Sequence, residues 1–165
     1  MPGKVIIFMG EGSGKSAAAL GIALRRASRG QRVVMIQFLK ARDLAENEFI
    51  KRLEPEIKIF SFERSQIDYR DRSEEEKKES AINIRNGLGF ARKVLTTGEC
   101  DLLILDEVLE VVNKGIIDVE DLRTLVEMRD ETNVIITGSG MNVEVCAFAD
   151  EISEIDPVWF RSFES

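Results

Sequence analysis

A chain of 165 residues, 44% hydrophobic and 32% charged, has the length and composition of one globular domain with one sizeable core. Its net charge of −7 and pI near 4.9 argue against a general nucleic-acid binder, which needs a basic face. Histidine is absent, which removes imidazole acid–base chemistry, His-containing triads and His metal sites together. Any chemistry must use carboxylates, lysine, hydroxyls, backbone amides or the substrates' own reactivity.

In chain order, Lys4 to Met9 (KVIIFM) is a short β-branched apolar run and predicts a buried strand. The glycine-rich stretch Gly10 to Gly14 follows it, so this start reads as a first strand and not as a signal peptide. Lys15 to Arg29 is alanine-rich and predicts a helix with Gly30 as its C′ residue. Arg32 to Phe38 predicts a second strand, residues 43–53 a short helix stopped by Pro55, and Ile57 to Phe62 a third strand. The charged run Arg70 to Glu79 is expected to be solvated. Within it Ser73 and Glu76 form a capping box for a long helix ending at Gly98. Ala81, Ile84, Leu88, Ala91 and Leu95 are its expected buried stripe.

Leu102 to Leu105 predicts a fourth strand closed by Asp106 and Glu107. A short helix near 107–113 and a second from Asp118 to about Arg129 follow. Asn133 to Thr137 predicts a fifth strand, residues 142–148 a last helix and Glu151 to Ile155 a sixth strand. Strands alternate with helices, and several strands are continuous apolar runs. The expected fold is therefore α/β, with a mainly parallel sheet of five or six strands covered on both faces. One domain spanning 1–165 is expected. No run approaches the ~20 apolar residues of a membrane span, which suggests a cytoplasmic protein. Cys100 and Cys146 lie far apart without metal-ligand spacing and read as small buried hydrophobes.

The stretch Met9 to Ser16 (MGEGSGKS) carries the main chemical signal. It resembles the phosphate loop G-x-x-x-x-G-K-[ST], with Met9 where the first glycine would stand. With glycine usage near ~7%, such a pattern arises by chance in about one chain in a thousand of this length. Its place between a strand and a helix lowers that further. Gly10, Gly12 and Gly14 let backbone amides approach an anion, and the helix N-terminus adds its positive dipole. Lys15 supplies a point charge for the outer phosphates, and Ser16 a hydroxyl for Mg²⁺. Asp106 is expected to hold the Mg²⁺ shell; Glu107 binds the metal directly or activates a water. A helix N-cap with an acidic first turn is the plainer reading of that pair. Glu11 would repel a phosphate and is expected to point outward. Thr137 ends the fifth strand at the same carboxyl edge, where it contacts phosphate or packs in the core. Gln37, Phe38 and Lys40 share that edge. Lys40 meets phosphates or acidic substrate groups, or is simply a solvated lysine.

Taken together, these segments resemble the P-loop corrinoid adenosyltransferases. The resemblance runs from about residue 4 to 158, through GEGSGKS, LLILDE, VIITG and ADEISEIDPV. Its most specific parts are Gln37, Phe38 and Lys40, and then Ala149, Asp150, Ser153, Glu154, Pro157 and Val158. It implies a three-layer α/β/α P-loop NTPase-like fold. It also implies that Co(I) of a reduced corrinoid attacks the 5′ carbon of ATP, with triphosphate leaving. By that resemblance ATP, Mg²⁺ and the corrinoid meet at Gly10, Gly12, Ser13, Gly14, Lys15, Ser16, Ala17, Gln37, Lys40 and Thr137. Lys15 and Glu107 are the catalytic candidates, and Ser16, Asp106 and Glu107 the metal set. A reductase partner and a homodimer are expected on the same ground; a nucleic acid or a membrane is not.

That family also has a non-glycine at the position of Met9. The chain departs from it at Ser13, at Ser16-Ala17 (usually Thr-Thr) and at Ser139, where the family has arginine. Asp156 to Phe160 stands in place of an R-P-V-K-H segment, and the extension that follows it in many members is not expected. Residues 68–71 keep one aromatic, Tyr69. Phe38, Tyr69, Trp159 and Phe160 are candidates to pack on the corrin ring. The alternative is a divergent P-loop ATPase or nucleotide-dependent regulatory paralogue that does not adenosylate.

Overall fold

The computed structural model describes residues 1–159 and 161. Six strands, β1 (Val5–Met9), β2 (Val33–Gln37), β3 (Ile57–Ser61), β4 (Leu102–Asp106), β5 (Asn133–Thr137) and β6 (Glu151–Glu154), form one sheet in the order β3-β2-β4-β5-β1-β6. Every neighbouring pair is parallel. The helices are α1 (Lys15–Ala27), α2 (Leu44–Ile50), α3 (Glu74–Thr97), α4 (Val108–Asn113), α5 (Val119–Glu127) and α6 (Val143–Cys146). Each expected strand and helix is present; β5 keeps its expected bounds, β4 runs one residue further to Asp106, and the other elements lose up to three residues at an end, with residues 51–53 forming a 3-10 turn after α2.

Strand side chains alternate between the faces. Val33, Met35, Leu102, Ile104 and Ile135 meet Ala19 and Ala23 of α1. Val34, Ile36, Leu103, Leu105, Val134 and Ile136 join the larger core with residues of α3, α4, α5 and α6. These are the three expected layers, with β4 and β5 apolar on both faces because both faces are covered.

The stripe of α3 differs from its apolar pattern. Ser80, Ile84, Gly87, Ala91, Val94 and Leu95 are buried, whereas Ala81 and Leu88 are only partly so. Two of these contacts cannot be read from hydrophobicity. Ser80 accepts a hydrogen bond from Arg72 at 2.6 Å. Gly87 makes room for Phe38, since a Cβ there would stand 2.8 Å from the ring. The capping box of Ser73 and Glu76 is present, and Gly98 closes the helix at φ 64°. Among the described residues no helix is long and apolar enough to cross a membrane.

Candidate functional site

The register of the sheet brings the candidate residues to one edge. Gln37 pairs with Asp106 across β2 and β4, and Phe8 beside the loop pairs with Thr137. Asp106, two residues beyond Ile104, shares its face and so looks toward the α1 layer. There the Ser16 hydroxyl donates to its Oδ1 at 2.7 Å. Two motifs ninety residues apart therefore touch at the mouth of the loop.

The loop is held from both sides. Gly10 and Gly14 adopt φ 114° and 107°, open only to glycine at low cost. Gly14 is the N-cap of α1 and no side chain caps the helix, so its first-turn amides stay free for an anion. The other end leans on the chain beyond β6. The Gly12 amide donates to Ile155 O at 2.8 Å, and the Glu11 amide to Asp156 Oδ1 at 3.0 Å. A Cβ at Gly10 or Gly12 would stand 2.4 or 2.7 Å from Ile155 O. These glycines thus serve close packing on a neighbouring strand end as well as a ligand. Glu11 itself is exposed, as expected. Lys15 Nζ donates to Gly10 O and Gly12 O at 2.8 Å each, which keeps the cation at the loop. Ser13 and Ala17 are exposed on its outer rim.

Thr137 is fully buried. Its hydroxyl donates to Asp106 Oδ1 at 2.8 Å and accepts from the Glu107 amide at 2.9 Å. It stands behind Asp106 and orients it, so of the two expected roles the structure favours packing over a direct phosphate contact. Glu107 occupies a left-handed conformation at φ 67°, unusual for a side chain with a Cβ and typical of strained site residues. Burial pushes its carboxyl above the ordinary glutamate range, reinforced by Asp106 and Glu110 and opposed by Lys15 and Lys40.

A cleft of about 720 Å³ opens from this point. Ser16, Asp106 and Glu107 line one end; residues 37–42 and 66–70 form its far wall, with Glu110, Lys114 and Ser139 beside them. Lys40 is exposed there. Gln37 Oε1 and Arg42 Nε and Nη1 are buried without hydrogen-bond partners, and burial lowers the Arg42 pKa, with Glu46 opposing. Ser139 takes its amide and hydroxyl to Glu110. Tyr69 lies in the cleft wall, with Lys77 and Lys114 each within 5.6 Å of its ring centre.

Three expectations are corrected. Phe38 is 1% exposed and packs on α3, so its ring belongs to the core and not to a corrin-facing surface. Trp159 is exposed beyond β6 and does not line the cleft; Phe160 lies outside the described residues. The charged run 70–79 is not uniformly solvated, because Arg72 is buried and paired with Glu63 at 2.8 Å. Cys100 is buried, its thiol pushed up to about 12 by desolvation, while Cys146 is half-buried.

The hydroxyl–carboxylate pair Ser16–Asp106 consists of hard oxygens suited to Mg²⁺, which keeps several waters and borrows phosphate oxygens. Among the described residues no group of three or more His, Cys, Asp or Glu could hold a metal by itself. A divalent cation at this place would thus depend on the nucleotide for much of its shell.

The sequence matches the ATP:corrinoid adenosyltransferase BtuR/CobO/CobP family over residues 2–161. The chain belongs to this family. It is 29% identical to the corrinoid adenosyltransferase of Escherichia coli strain K12, over 94% of this chain and 78% of that protein. It is 27% identical to the corrinoid adenosyltransferase CobA of Salmonella typhimurium, with the same coverage. In architecture it is similar to a KaiC-like protein from Pyrococcus horikoshii, with a TM-score of 0.63, 18% identity, and coverage of 94% of this chain and 73% of that one. At that identity the likeness speaks for a P-loop NTPase-like fold alone. For this member of the corrinoid adenosyltransferase family, the missed features are Arg72, Glu63, Ile155 and Asp156. A lone arginine in an acidic run and a backbone carbonyl carry no sequence signal of burial or contact.

Proposed function

We propose that the protein transfers the 5′-deoxyadenosyl group of ATP to the Co(I) of a reduced corrinoid. A cobalt–carbon bond forms, the C5′–oxygen bond breaks, and its electron pair leaves with triphosphate. The observation that carries this reading is the Ser16–Asp106 contact at the loop mouth, opening directly onto a cleft large enough for part of a second substrate. Family membership supplies the identity of that substrate.

Lys15 and the first-turn amides of α1 would bind the triphosphate and stabilise the charge it gains on leaving. Ser16 and Asp106, oriented by Thr137, would hold Mg²⁺, which when bound supplies further charge neutralisation on the phosphate oxygens. The nucleophile belongs to the substrate, so no protein base is needed; a chain without histidine is compatible with that. Lys40 and Gln37 would line the route from nucleotide to corrinoid. A second reading, ATP hydrolysis, draws on Glu107, whose raised carboxyl pKa and place at the cleft end beside Ser16 and Asp106 suit water activation.

The test is anaerobic incubation with Mg-ATP and chemically reduced corrinoid, followed by product identification. Adenosyl-corrinoid and triphosphate in equal amounts are expected. ADP and phosphate formed regardless of corrinoid would replace the first reading with the second.

A further inference from the structure

Arg72 has no solvent-exposed side-chain surface and does not line the cleft. Its planar head nonetheless joins three segments through four acceptors. Nε donates to Ile67 O at 2.9 Å, and Nη1 to Glu63 Oε2 at 2.8 Å and Ser80 Oγ at 2.6 Å. Nη2 donates to Leu39 O at 3.0 Å. Two of these acceptors, Leu39 and Ile67, belong to the two loops of the far wall. Glu63 and Ser80 anchor the arginine to the exit of β3 and to α3. Glu63 Oε1 in turn accepts from the amides of Arg64 and Ser65, which shapes the second loop further.

Leu39 is the point of strain. It sits at φ 68° immediately before Lys40, a conformation that an L residue keeps only when its surroundings impose it. Direct ties between the two loops are long, with Ala41 N to Ser65 O at 3.4 Å; Ser61 Oγ reaches Lys40 O at 3.5 Å. The charged, short contacts of Arg72 are the stronger restraint.

We propose that Arg72 is a positioning residue: it holds Leu39 in its left-handed turn and docks loop 63–71 against it, so that Lys40 and Tyr69 face the second substrate. The assignment of that substrate rests on the reading given under Proposed function; the loop geometry does not. Lysine cannot replace the fork, because it offers one charged nitrogen in place of three fixed ones.

The test compares wild type, Arg72→Lys and Arg72→Lys/Leu39→Gly. Three quantities are measured: steady-state kinetics with reduced corrinoid, Mg-ATP affinity by calorimetry, and amide hydrogen exchange. Arg72→Lys should raise the corrinoid KM about tenfold while kcat and Mg-ATP affinity stay within about twofold, the size expected from one lost charged hydrogen bond. Exchange should quicken in 38–42 and 63–71 and stay unchanged in α1 and β4. Glycine at 39 relieves the strain and should recover part of the KM. If Arg72→Lys does not fold, Glu63→Gln should show the same pattern more weakly. An unchanged KM with both loops still protected, or exchange that quickens throughout the molecule, overturns the proposal. If wild type forms no adenosyl-corrinoid, the functional reading fails, and exchange in the two loops still decides the role of Arg72.

Discussion

The two ends of the cleft are built in different ways. At the nucleotide end, contiguous motifs supply nearly everything: Gly10 to Ser16 from one strand–loop–helix unit, and Asp106 and Glu107 from the end of β4. Sheet register and one hydroxyl bond then join them. At the far end, Gln37 to Lys40 is recognisable in sequence, but no local motif fixes how the wall is held. Loops 38–42 and 63–71 are irregular apart from a 3-10 turn at Tyr69–Asp71, and a buried arginine from outside the cleft ties them together. The nucleotide end is placed by the ends of core strands. The far end has the shape its tertiary bonds impose, so substitutions there can retune the second substrate without touching ATP.

Lys15→Ala tests the nucleotide end most severely. Under the proposed reaction, loss of this cation at the loop should lower kcat/KM by about 10²-fold or more, read as adenosyl-corrinoid formed per minute. Retained turnover would break the contrast, since the loop would then not be the reacting site. Asp106→Asn comes next. It removes the carboxylate that receives the Ser16 and Thr137 hydroxyls and should cost about 10- to 100-fold in activity. The loss should shrink as Mg²⁺ is raised, a titration that separates metal binding from misfolding.

Gly12→Ala is smaller and sharpens the comparison differently. Its Cβ would meet Ile155 O at 2.7 Å, so the loop or the β6 exit must shift. Denaturant unfolding should report a loss of about 1–3 kcal/mol, with weaker ATP binding and no specific change in corrinoid KM. Glu107→Gln has the subtlest effect. The Glu107 carboxyl is raised in the folded state, so its contribution favours folding below the ordinary glutamate pKa of about 4.3 and is lost as pH climbs through the raised value. Without nucleotide or divalent cation, the glutamine variant should melt higher than wild type at neutral pH. The gap should close as pH falls toward the ordinary value. A constant gap across that range would show that strain at φ 67°, and not desolvation, dominates at this residue.

Much of the fold was legible because strands buried on both faces must be apolar on both, and LLIL and VVMI are, up to the polar residue that ends each strand at the site. The α3 capping box was legible because capping chemistry is local. Phe38 was misjudged because an aromatic at a strand's carboxyl end looks the same whether it faces a ligand or a glycine on a helix behind it. Trp159 was misjudged for the same reason in reverse, since exposure depends on neighbours far away in the chain.

The sequence by itself determined the parallel α/β architecture, the phosphate loop and its acidic partner strand. Periodicity, glycine placement and strand-end acids are short-range signals, and they survive without knowledge of what packs against them. Only the tertiary structure decided which glycines serve packing on Ile155 and that Thr137 orients Asp106. It alone revealed that Arg72 governs the far wall. Those facts depend on carbonyls, hydroxyls and a carboxylate from segments 31 to 145 residues apart, and a backbone carbonyl has no letter in the sequence.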